Sequence, residues 1–205
     1  MQSHRLISIV AVLLAAARAD AANEIVNGNF DTSVVGWFGI AEFTAGLDSF
    51  GDPSRGSLRV TNPTPNSGTQ AIQHIPVTAG VPIRASFQVR IASGQSGIGY
   101  AYPGVNFIEG DCGTSNVYLS FVNAQLVSQP FDTWVDSEMP EVIAPAGAGC
   151  AEVVLFVRND GSSGTFAANF DTIFAPEPGS AACGLVAIAA IAVGRRAARR
   201  ATAPS

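Results

Sequence analysis

The sequence predicts an all-β domain, a sandwich or jelly roll of short antiparallel strands, on three observations. Between residues 24 and 175 no helical period is sustained. Short runs rich in β-branched and aromatic residues recur instead, divided by clusters of Gly, Pro, Asn, Asp and Ser. Within 83–92, Ile83, Ala85, Phe87, Val89 and Ile91 alternate with Arg84, Ser86, Gln88 and Arg90, the period of a strand with one buried and one wet face. Many such strands bury their apolar faces by stacking two sheets.

In chain order the candidate strands are 57–61 (SLRVT), 69–77 (TQAIQHIPV), 83–92 (IRASFQVRIA), 116–122 (NVYLSFV), 133–139 (TWVDSEM), 151–159 (AEVVLFVRN) and 165–175 (TFAANFDTIFA). The stretches 62–68 (NPTPNSG) and 91–104 (IASGQSGIGYAYPG) read as loops at the ends of the sandwich. No internal repeat is present.

Charge is distributed unevenly. All 11 cationic residues are arginine, and six of them lie at the ends of the chain. Residues 22–179 hold five arginines against fifteen carboxylates, a formal charge of −10 against −5 for the whole chain. Such a body has no phosphate-neutralising surface, which argues against nucleic acid as a partner. About 155 residues remain for it, enough to bury a core.

The ends read as addresses. At the N-terminus, Arg5 precedes an apolar run from Leu6 to Ala17, followed by the small-x-small triplet Ala19-Asp20-Ala21. That order is a secretory signal peptide spanning 1–21, cut after Ala21, and the run is shorter than the roughly 20 apolar residues of a membrane span. Export then passes through the Sec translocon. At the C-terminus, Pro176-Glu177-Pro178 precedes a wholly apolar or Gly stretch at 181–193 and the cluster Arg195, Arg196, Arg199 and Arg200. The prolines stop any helix upstream. Arginines directly after an apolar segment mark a cytoplasmic end, and their long side chains extend a short span by snorkelling.

This three-part tail resembles the PEP-CTERM sorting domain, although its apolar run is rich in Ala rather than Leu. The resemblance implies a transmembrane sorting helix over about 180–194, with processing by an exosortase near the motif. It also implies a Gram-negative source, an inner-membrane intermediate, and final placement in the cell envelope, at the outer surface or in the extracellular matrix. The domains expected are thus signal peptide 1–21, sandwich 22–175 and sorting tail 176–205.

A second resemblance covers nearly the whole body. Residues 23–39 (NEIVNGNFDTSVVGWFG), then GSLRV, VTAGVPIRASFQVR, FDTWVDSEMPEVIAPAG and FAANFDTIFA follow in the order of galactose-binding-like carbohydrate-binding modules. It implies a jelly-roll sandwich opening with a strand at 23–39, and packing of Trp37 and Trp134 in the core. Ligand is not settled by fold. Stacking candidates for a sugar are Tyr100, Tyr102, Phe107 and Tyr118, because flat rings suit the C–H faces of pyranoses, with Asn106 or Gln88 nearby to bind hydroxyls. The resemblance also implies a structural Ca²⁺ held between the first and last strands, with Asp31 and Asp171 as its carboxylates. Where the family commonly pairs two Asp, this chain has Asn169-Phe170-Asp171.

Cys112 and Cys150 are the two cysteines of the body, and an exported chain meets an oxidising compartment, so a disulfide between them is expected. Cys183 lies in the tail helix as a small apolar residue. His74 is the body's one histidine, and no Gly-x-Ser-x-Gly elbow is present. A nucleophile–base pair and a His-based zinc site therefore have no signature, and a non-enzyme is expected. Two non-enzyme classes stay open, a module that binds extracellular polysaccharide and a structural envelope protein without a glycan site; a third reading, a glycoside hydrolase or lyase, needs two carboxylates facing each other across a cleft.

Overall fold

The computed structural model describes residues 23–175. The signal peptide, Pro176-Glu177-Pro178, the tail helix and Arg195, Arg196, Arg199 and Arg200 lie outside the described residues. In chain order the strands are β1 (Phe38–Gly39), β2 (Glu42–Ala45), β3 (Gly56–Asn62), β4 (Ser67–Pro76), β5 (Pro82–Ile83) and β6 (Ser86–Arg90). They continue with β7 (Gly99–Asp111), β8 (Tyr118–Asn123), β9 (Trp134–Glu138), β10 (Val142–Ile143), β11 (Ala148–Asn159) and β12 (Phe166–Phe174).

Two five-stranded antiparallel sheets form, in the orders β1-β4-β11-β7-β8 and β2-β3-β12-β6-β9, beside a two-stranded β5–β10 ladder. The chain crosses directly between the large sheets from β1 to β2, β3 to β4, β6 to β7, β8 to β9 and β11 to β12, and by way of the small ladder from β4 to β6 and β9 to β11, the connectivity of a jelly roll. Inward positions of both sheets meet in one core around Phe30, Leu58, Phe87, Ile91, Phe107, Leu155, Phe170 and Ile173, all fully buried.

Each of the seven expected strands has an observed counterpart, and the alternation of 83–92 is real: Ile83, Ala85, Phe87, Val89 and Ile91 are buried. It serves two ladders, however, with β5 paired to β10 and β6 to β9 and β12. Two expectations fail. The stretch 91–104 is not all loop, because β7 begins at Gly99 and runs for 13 residues between β11 and β8. Its Gly and Pro103 disguised a central strand whose Ala101, Val105 and Phe107 reach the core. Residues 23–39 are mostly turns, with only Phe38 and Gly39 in a strand.

Side chains pin that opening segment in place of a ladder. The buried Gln73 accepts from Val26 N at 2.7 Å, and its amide donates to Val26 O and Gly36 O at 3.0 and 3.1 Å. Asn23 donates to Ile173 O at 3.0 Å and accepts from Ala175 N at 2.9 Å. The first and last segments of the domain therefore run together.

Candidate functional site

The first sheet turns one face to the core and the other outward. Along β7, Ala101, Val105 and Phe107 point in, so Tyr100, Tyr102, Gly104 and Asn106 point out. Along β11, Val153, Leu155 and Val157 point in, and Glu152, Val154, Phe156 and Arg158 point out. Register then sets Tyr100 opposite Arg158, Tyr102 opposite Phe156, and Asn106 opposite both Glu152 and Phe121.

One half of this face is aromatic. Tyr102 is its hub, with ring centroids 4.8 Å from Phe156, 6.2 Å from Tyr100 and 6.1 Å from Phe121. Two glycines make room for the outer rings. A Cβ on Gly68 would stand 2.1 Å from Phe156 Cζ, and one on Gly104 would stand 2.8 Å from Phe121 Cε2. Rings stacked on one another hide part of their faces, so Tyr102 supports the cluster. Phe121, 45 % exposed, offers more free surface. Burial, reinforced by the neighbouring Tyr100, raises the Tyr102 phenol above its ordinary pKa.

The other half is polar. A row across four strands reads Phe121, Asn106, Glu152 and His74. Glu152 lies on the outward face yet is only 4 % exposed, because its neighbours close over it. Asn106 Nδ2 donates to its Oε1 at 2.7 Å, while Tyr118 OH donates to Oε2 at 3.4 Å. His74 Nε2 lies 3.2 Å from the same Oε2. A carboxylate left without donors here would be costly; three donors make it an anchor that fixes three side chains. Burial, then the Glu152 charge and hydrogen bond, raise the Tyr118 phenol. No second carboxylate faces Glu152 in these rows, so the paired acids of a glycosidase are not assembled here.

The expected site residues therefore divide. Tyr100, Tyr102, Tyr118 and Asn106 share one face, although the first two stand on β7 rather than in a loop. Phe107 does not join them: odd-numbered residues of this part of β7 face inward, and it is fully buried. Gln88 is on the other sheet, donating to Asp136 at 2.9 Å. Trp37 is in the core at 7 % exposure, whereas Trp134 is only half-buried, outward beside Arg90. Sequence reasoning missed Phe121, Phe156, Glu152 and His74 as members of the face.

The Cys112–Cys150 disulfide is present, linking the end of β7 to β11 across 38 residues. Asp31 and Asp171 are both engaged by protein groups. Asp31 is exposed and pairs with Arg55 at 3.2 Å. Asp171 is buried and accepts from Ser49 N and Thr172 N at 2.8 and 2.7 Å. Burial pushes its carboxyl above the usual range; those hydrogen bonds pull it back, and nearby Asp48 adds to the rise. Among the described residues no three His, Cys, Asp or Glu side chains cluster as metal ligands.

No family model and no curated protein matches the sequence. Solved structures do match the fold. The Family 16 Carbohydrate Binding Module-2 is 14 % identical at a TM-score of 0.52, over 76 % of this chain and 100 % of that one. The CBM22-1 xylan-binding domain of Paenibacillus barcinonensis Xyn10C is 12 % identical at 0.54, over 77 % and 96 %. An enzymatically active domain of the Bacteriophage CBA120 tailspike protein 4 is 14 % identical at 0.55, over 76 % of this chain. This chain spans 21 % of the length of that enzymatically active domain. These likenesses establish the β-sandwich fold.

Proposed function

We propose that the sandwich is a non-catalytic domain that binds an extracellular polysaccharide along the outer face of the β1-β4-β11-β7-β8 sheet. The observation that carries this reading is the aromatic cluster of Tyr100, Tyr102, Phe121 and Phe156 in line with the Asn106–Glu152–His74–Tyr118 network. Exposed ring surface takes the C–H faces of sugars, and the anchored polar groups meet hydroxyls. Carbohydrate binding by proteins of this fold adds support.

Affinity electrophoresis through gels carrying neutral polysaccharides tests it. Tyr100→Ala and Phe121→Ala should each weaken binding by about 1 kcal/mol, the scale for losing an interface aromatic. Tyr102→Ala should cost at least as much, because it removes the hub. Binding should depend little on salt, since the polysaccharides carry no charge for ions to screen. Unretarded migration in every gel would return the domain to a structural role in the envelope.

The export reading belongs to the same proposal. The chain is carried out through Sec, held at the inner membrane by its tail, and processed by an exosortase for release to the surface or matrix. The order of motif, apolar stretch and arginine cluster supports it. Mass spectrometry of the protein released from cells should find a C-terminus near residues 176–179. Released protein that still carries residues 181–200 would refute it.

A further inference from the structure

The second sheet carries on its outer face a row that the glycan face does not use. Register sets Glu42 beside Arg59, Arg59 beside Asn169, Asn169 beside Arg90, and Arg90 beside Trp134. One residue comes from each of β2, β3, β12, β6 and β9. The alternate positions Leu58, Val60, Val89, Ala168 and Phe170 fill the core, so this row faces away from it. Arg59 is exposed, and Trp134 is half-buried at the sheet edge.

The charges of this row are not balanced within it. Four of the five described arginines have a carboxylate partner: Arg55 with Asp31, Arg84 with Glu141, Arg90 with Asp132 and Arg158 with Asp160. Arg59 alone among them has none. Glu42 stands opposite Arg59 in register, yet its carboxylate makes no ion pair with that guanidinium and accepts from Thr61 Oγ1 at 3.3 Å. In a body with fifteen carboxylates for five arginines, an uncommitted guanidinium in line with an accessible indole is an unusual pairing. Adjacent strands are about 4.8 Å apart, which puts Arg59 about 14 Å from Trp134 across three strand spacings. That span suits an oligosaccharide rather than a single sugar.

We propose that this row is a second glycan site, selective for a short acidic oligosaccharide. The Trp134 ring takes the C–H face of one sugar, and the Arg59 guanidinium forks onto the carboxylate of another. The body's charge of −10 repels a long polyanion, which confines the ligand to a short one. That the ligand is a sugar rests on the glycan reading above; that it is acidic rests on Arg59.

The two tryptophans supply the test. Trp37 is buried in the core and the first sheet's outer rows hold no tryptophan, so emission from the full chain reports a ligand at Trp134. Titration with a trimer of galacturonic acid should give a saturable emission change, and the methyl-esterified trimer should bind about tenfold more weakly. Arg59→Ala, an exposed position, should weaken acidic-trimer binding about tenfold, with Arg59→Lys between it and the parent. Tyr100→Ala and Phe121→Ala should leave the response intact. Equal binding of acid and ester, an unaffected Arg59→Ala variant, or unchanged emission would each overturn the proposal. Loss of retention on neutral gels with this response preserved would sink only the first-sheet site.

Discussion

Trp37→Ala should cost the fold about 3–5 kcal/mol, the range for truncating a core Trp or Phe to alanine. Trp37 is 7 % exposed, and its ring centroid lies 5.8 Å from that of the fully buried Phe30. Its backbone N–H donates to Val34 O at 3.1 Å, closing the turn that leads into β1. The segment around it has little ladder of its own and depends on the Gln73 and Asn23 clamps, so a void beneath it is not braced by strand pairing. Trp37→Phe separates size from chemistry. The indole Nε1 is buried with no hydrogen-bond partner, so phenylalanine removes an unsatisfied donor while keeping most of the apolar volume. Its cost should be about 1 kcal/mol or less. Urea unfolding with the disulfide intact measures both, and an alanine variant within 1 kcal/mol of the parent, roughly the scale of an average substitution, would remove the ring from the core.

Parity along strands was the legible part of this molecule, and it was readable further than the initial expectations took it. Once Val153, Leu155 and Val157 are placed inward, Phe156 must face outward with Glu152, and the alternation was present in the sequence. The same rule separates Tyr100 and Tyr102 from Phe107, whose numbers differ in parity. Gly99, Pro103 and Gly104 make β7 read as a loop, where parity carries no meaning. Trp134 fails as a core residue for the same reason: Val135, Ser137 and Met139 are the inward positions of that stretch. The Glu152 network had no local signal. Its partners His74, Asn106 and Tyr118 stand 78, 46 and 34 residues away on three other strands. Only sheet order brings them together, and order is a property of long-range pairing that no short motif carries. Asp31 was legible as an acidic residue after Phe30, yet Arg55 claims it from a loop 24 positions later.

Replacing both Cys112 and Cys150 by alanine should destabilise the domain by about 4 kcal/mol on the chain-entropy account of a loop this long. The bridge closes 38 residues that contain β8, β9 and β10. Within that loop lie an edge strand of the first sheet and an edge strand of the second, each paired on one side only. Opening the loop frees both edges in the unfolded chain at once. Alanine is the right replacement because Cys150 is fully buried, where a serine hydroxyl would add a desolvation cost of its own. The loss should appear as a fall in Tm of roughly 8–16 °C for a domain of this size. It should appear equally in parent protein unfolded under reducing conditions. Because β8 carries Tyr118 and Phe121, the reduced protein should also lose retention on neutral polysaccharide gels at temperatures below its own unfolding midpoint. Coincident loss of binding and fold would mean that the bridge stabilises the domain as a whole without separately bracing the glycan face. An unchanged midpoint on reduction would mean that the closed loop restrains little that the two sheets do not already hold.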